Sequence, residues 1–96
     1  MRPITPKETE TLLIMQEECG EVSQVISKIF RFGLDEAYTD RTNRQRLEEE
    51  IGDLLCMIDL LEEFELIDIK LVQEAKSAKR IKLEKWTTHL FNKELS

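Results

Sequence analysis

The segment "LLIMQEECGEVSQVISKIF", residues 12–30, decides how the rest of the chain is read. At helical spacing Met15, Val22, Val25 and Ile29 form one apolar stripe, and the position that continues it between Met15 and Val22 is Glu18. Glu21 stands one turn before Val25, on the edge of the same stripe. A carboxylate in apolar surroundings is costly unless a cation, a proton or a basic side chain neutralises it. The segment therefore predicts a helix whose oily face holds acid for a reason.

Working outward, Thr5-Pro6-Lys7-Glu8 is a helix start: Thr5 caps, Pro6 fits the first turn and Glu8 completes a capping box. The first helix is expected from Pro6 to about Phe32, where Gly33 ends it, and "GLDEAYTDRT" reads as a loop with a short turn of helix near Asp35 to Tyr38. Thr42 and Gln45 form a second capping box. The helix that follows carries Leu47, Ile51, Leu54, Ile58 and Leu61, with Leu55, Met57 and Leu60 widening the stripe, so it is expected to be central and buried on more than one side. The pattern breaks around Glu65 to Asp68, and Asp68 caps a third helix extending towards Trp86. Nothing alternates with period two over a useful length. The expected architecture is a single all-α domain over residues 1–96, an antiparallel helical bundle with the third helix beside the first two. Leu12, Leu13, Ile14 and Met15 show oil on several sides of the first helix, which predicts a homodimer or homotetramer that completes a four-helix core.

Twenty acidic against fourteen basic residues, a net charge of −6, argue against a nucleic-acid binder. No apolar run approaches the roughly 18 residues of a membrane span, and "MRPITPKETE" lacks the apolar core of a signal peptide, so a cytoplasmic location is expected. Cys19 and Cys56 lie within helical patterns without zinc-ligand spacing and read as semi-buried thiols. The one histidine, His89, has no Ser or Cys partner by spacing and reads as a surface residue.

In "LEEEIGDLLCMIDLL" the anomaly of the first helix recurs: Glu50 and Asp53 are three apart on one face, one turn before Leu54 and Met57, with Gly52 between them. A mid-helix glycine costs about 1 kcal/mol, which close approach of a helix or ligand explains. Glu18 and Glu21 share the same spacing, so antiparallel neighbours bring the two pairs together. Oxygen-only ligands without a nearby His point to Mg²⁺, with Mn²⁺ able to substitute, rather than to a di-iron carboxylate centre. Glu17, rotated by about 100° from Glu18, is an outer group, an added ligand or a water activator.

Glu17-Glu18-Cys19-Gly20-Glu21 matches the EExxE pattern, and Glu50-Ile51-Gly52-Asp53 the ExxD pattern, of the MazG-like all-α nucleoside triphosphate pyrophosphohydrolases, with 28 residues between Glu21 and Glu50. The segments "EECGEVSQVISKIFRFG", "NRQRLEEEIGDLLCMIDLL" and "AKSAKRIKLEKW" resemble the short single-domain members of that family, many of them from phages. The resemblance implies hydrolysis of a nucleoside triphosphate between the α- and β-phosphates, giving monophosphate and pyrophosphate. It implies Glu18, Glu21, Glu50 and Asp53 as Mg²⁺ ligands. The proton of the attacking water then goes to one of the carboxylates, with Glu17 and Glu21 the first candidates.

Binding a polyphosphate calls for positive charge. Lys79, Lys82 and Trp86 share a face of the third helix, with Lys85 beside them, and form a candidate phosphate clamp with Trp86 near the base; the alternative is a solvated helix with Trp86 in the core. Lys28 and Arg31, which follow the first acidic pair, are further candidates. Two rival readings remain in view: a related all-α pyrophosphohydrolase acting on dUTP or phosphoribosyl-ATP, and a non-catalytic helical interaction module.

Overall fold

The computed structural model describes residues 1–37 and 39–91. Three helices, α1 (Pro6–Phe32), α2 (Asn43–Glu63) and α3 (Ile69–Trp86), carry the chain. Among the described residues there is no strand, only a lone antiparallel bridge between Ala37 and Thr42, and no helix long and apolar enough to cross a membrane. Two compact units result: Met1–Leu66, which holds α1 and α2, and the part from Ile67 onward, which holds α3.

Both expected capping boxes form. Thr5 Oγ1 accepts from the Glu8 amide at 3.1 Å while the Thr5 amide donates to Glu8 Oε1 at 3.0 Å, and Thr42 and Gln45 repeat the exchange at 3.1 and 2.8 Å. Arg2 adds a forked pair onto Glu8, donating to its two oxygens at 2.8 and 3.1 Å. Gly33 ends α1 with φ +96°, a backbone conformation that a side chain disfavours, and a Cβ there would lie 3.2 Å from Glu36 Cγ. At the other end of the hairpin α2 stops in a Schellman pattern. The Leu66 amide reaches the Leu61 carbonyl at 2.8 Å, the Glu65 amide reaches Glu62 at 2.9 Å, and Glu65 takes the left-handed position at φ 60° where glycine is usual.

α1 and α2 run antiparallel. Near the α1 start the Lys7 ammonium lies 4.1 Å from the centroid of the Phe64 ring at the α2 end, and near the α1 end Asn43 Nδ2 donates to the Gly33 carbonyl at 2.9 Å. The segment between them is tied rather than helical, so the expected turn of helix near Asp35 is absent through Ala37, and Tyr38 lies outside the described residues. The Arg44 guanidinium forks onto Asp35 at 2.8 and 3.1 Å, its amide donates to Leu34 at 2.9 Å, and Arg46 Nη2 donates to Thr39 Oγ1 at 2.8 Å. The Leu34 carbonyl, which a helical turn would have paired with an amide four residues on, is taken instead by the Arg44 amide.

The stripe containing Glu18 is the seam of the hairpin: Val25 is buried, and Met15, Glu18, Val22 and Ile29 are half-buried. Among the described residues Val25, Met57 and Leu61 form the buried apolar core, joined by Glu8, Thr11 and Asn43, and α3 contributes no buried residue. Within the Met1–Leu66 unit α2 is not covered on several sides, since Ile51 and Leu55 are 41% and 54% exposed. A single facing helix covers one stripe of α2 and no more. Cys19 and Cys56 are exposed, not semi-buried, because one facing helix covers too narrow a strip of α1 and α2 to reach them.

The Arg2 and Thr5 contacts, in that order, hold the Glu8 carboxyl at about 2, below its ordinary 4.5. A depressed carboxylate stabilises the fold fully above its unfolded value and loses that contribution as pH falls through the folded one. Glu8→Gln keeps a capping side chain but loses the charge. Its urea midpoint should lie below that of the wild-type chain at pH 6, with the gap closing between pH 4.5 and about 2; a gap that does not depend on pH counts against the ion pair.

Candidate metal centre

Antiparallel packing brings Glu18 of α1 across from Glu50 and Asp53 of α2, and one carboxylate oxygen from each lies within 4.8 Å of the others. Spacing of three residues puts Glu50 and Asp53 on one face of α2, and the apolar stripe of α1 points Glu18 into the same seam. Glu18 Oε2 is buried without a hydrogen-bond partner. Its carboxyl is raised above the ordinary value of 4.5, first by removal from water and then by the negative charges of Asp53, Glu50, Glu17 and Glu21. A native buried oxygen with no partner calls for an explanation. Three hard oxygen donors with one orphaned atom fit a hard divalent cation such as Mg²⁺ or Mn²⁺.

Of the four expected ligands three converge, and Glu21 stands beside them. With Glu50 and Asp53 it lines a neighbouring cavity of about 190 Å³, bounded also by Gln24, Val25, Lys28, Arg41, Arg46 and Glu49. Glu17 is exposed, and it reaches the centre through its charge on Glu18. Gly52 shows no close approach: a Cβ there meets nothing within 4 Å, so the tight contact expected of this glycine is absent from the described residues.

Lys28 lines the acidic cavity, whereas Arg31 does not; its guanidinium lies 5.2 Å from the Phe32 ring centroid. Lys79, Lys82, Lys85 and Trp86 sit on α3 in the second unit, all exposed, with the Lys85 ammonium 5.3 Å from the Trp86 ring centroid. Trp86, 76% exposed, is not a core residue of this chain. Arg41 and Arg46 are cavity residues that the sequence reading passed over. Arg46 carried a readable signal, being seven residues before Asp53 and so on the same face of α2. Arg41 carried none, since it comes from the loop and is held by an ion pair to Glu49.

The family model of the MazG nucleotide pyrophosphohydrolase domain matches residues 7–93. Among curated proteins nothing matches the chain. Among solved structures nothing matches it either.

A raised carboxyl means that the folded chain binds this proton more tightly than the unfolded chain does. Stability is therefore lost as pH rises from the unfolded value through the folded one, and the loss is complete above it. Metal-free Glu18→Gln should melt above the metal-free wild type at pH 7.5, with the advantage gone below pH 4.5. Added Mn²⁺ should raise the melting temperature of the wild type and leave that of the variant unmoved. Equal melting in both states would remove Glu18 from the centre.

Proposed function

The chain belongs to the MazG nucleotide pyrophosphohydrolase family, and we propose that its reaction is the Mg²⁺-dependent hydrolysis of (deoxy)nucleoside triphosphates between the α- and β-phosphates. The observation that supports this most is the trio of carboxylates within 4.8 Å, one oxygen of which is buried and unpartnered. Glu18, Glu50 and Asp53 hold the ion, with Glu21 as a fourth oxygen donor on the cavity side. Once bound, a divalent ion polarises phosphoryl oxygens, offsets charge on the departing pyrophosphate and acidifies a water molecule.

The residues around the centre take the remaining roles. Glu21 faces the cavity together with Glu50 and Asp53, so it is the first choice to accept the proton of the attacking water, with Glu17 the second. Lys28, Arg41 and Arg46 present cations to the phosphates, the two arginines with planar forks suited to paired phosphoryl oxygens. Arg31, Lys79, Lys82, Lys85 and Trp86 remain candidates for substrate contact on charge and spacing.

A second copy of the chain completes the fold in this reading. Leu12, Met15, Cys19, Val22, Ile26 and Ile29 on α1 follow alternating three- and four-residue steps, as do Leu47, Ile51, Leu54, Ile58 and Leu61 on α2. Both stripes leave large apolar side chains in water, with Leu12, Ile26 and Ile51 exposed, Leu55 exposed next to the second stripe and Phe30 85% exposed next to the first. Two helices per chain with seams of the same period make a four-helix core when two chains meet.

With Mg²⁺ and a panel of ribo- and deoxyribonucleoside triphosphates, the expected product is pyrophosphate and not phosphate. Glu50→Gln and Asp53→Asn should each lower kcat/KM by at least about a thousandfold with helical circular dichroism retained. Wild-type turnover in both variants would refute the centre. Sedimentation at micromolar concentration should show a dimer or tetramer, and Phe30→Glu with Leu55→Glu should release monomers; a wild-type monomer would refute the shared core.

A further inference from the structure

A second cavity of about 210 Å³ opens one step further along the hairpin, lined by Lys28, Phe32, Arg41, Asn43 and Arg46, with mostly apolar walls. It shares Lys28, Arg41 and Arg46 with the acidic cavity, so the two adjoin at those three cations. The order on α2 is Asp53, Glu50, Arg46, Asn43, and on α1 it is Glu21, Lys28, Phe32. Acid is followed by base and then by oil. Between Glu50 and Asn43 α2 rises about 10 Å, a length on the order of a nucleoside monophosphate. Neither cavity alone reaches the roughly 300 Å³ at which small-molecule sites begin, so a nucleotide held here would have to use both.

Beyond the three shared cations the surface of this cavity is mainly apolar, which suits a nucleobase better than a phosphate. Phe32 supplies an aromatic wall. Asn43 is 5% exposed, and its Nδ2 is committed to the Gly33 carbonyl at 2.9 Å, which leaves Oδ1 as its acceptor. Among the five lining side chains Oδ1 of Asn43 is the one acceptor, which favours a ligand that brings an N–H or O–H donor.

We propose that this second cavity takes the nucleoside of the substrate, with Phe32 and Asn43 as its walls and Lys28, Arg41 and Arg46 as the bridge to the phosphates. The proposal rests on the nucleotide reading above and names which end of the substrate lies where. The carboxylates hold the phosphate end, and the loop end of the hairpin holds the base.

Binding, not turnover, tests it. Isothermal titration of the full chain with Mn²⁺ compares the α,β-methylene analogues of the four ribonucleoside triphosphates with inorganic tripolyphosphate, which has no nucleoside. At least one analogue should bind more tightly than tripolyphosphate. Phe32→Ala should weaken that analogue by about tenfold or more and shift tripolyphosphate by less than about twofold, with Phe32→Leu between the two. Phe32 is 41% exposed, so both variants should fold, and circular dichroism confirms it. The proposal is overturned if no analogue outbinds tripolyphosphate, if both ligands weaken equally in Phe32→Ala, or if neither changes. Should the nucleotide panel release no pyrophosphate while the selective loss in Phe32→Ala is seen, the reaction reading fails and the nucleoside cavity stands.

Discussion

One oxygen of Glu18 is shut off from water with no hydrogen bond to replace what it lost, and two further carboxylates crowd the same few ångströms. Such an arrangement weakens the metal-free fold, because desolvation and like charge act in the same direction. The chain tolerates it because its helices are secured elsewhere. Thr5, Glu8 and Arg2 tie down the start of α1, Thr42 and Gln45 the start of α2, and the Leu61–Leu66 bond its end. Local capping of this kind is worth about 1 kcal/mol per cap. It leaves the seam free to carry a group chosen for chemistry.

Everything along that seam follows from its antiparallel register. Lys28 lies seven residues after Glu21 and Arg46 seven before Asp53, so on opposed helices both cations fall about two turns from the acids in the same direction. The loop holds this register through short polar bonds: Asn43 to Gly33, Arg44 to Asp35 and Leu34, Arg46 to Thr39. The same bonds that close the hairpin thus set the positions of two cations at the cavity. Arg41 joins them through Glu49, at the point where the loop meets α2.

The hairpin has little interior of its own. Among the described residues three apolar side chains are buried, while Phe30 and Leu55 stand in water. Burial of a side chain of this size is worth roughly 1.5–3 kcal/mol, so the uncovered stripes are a reserve of stability that a matching surface can claim. Polar groups on one face of the seam and oil beside it leave the two proposed roles, catalysis and assembly, to different faces of the same two helices.

Much of this was legible in the order of residues. Helix ends were readable from Thr5, Gly33, Thr42 and Asp68, and the acidic seam from Glu18 interrupting an apolar stripe, because caps and helical periodicity arise between residues at most one or two turns apart. Those interactions form wherever the same few residues occur in the same order. Three matters needed the tertiary structure: that Glu18, Glu50 and Asp53 meet while Glu21 turns to the adjoining cavity, that Arg41 of the loop stands beside them, and that Gly52, Cys19 and Cys56 face open space. Each depends on the register between two helices joined by a loop. That register is the sum of many weak contacts between residues far apart in the chain, and no short stretch of sequence contains it.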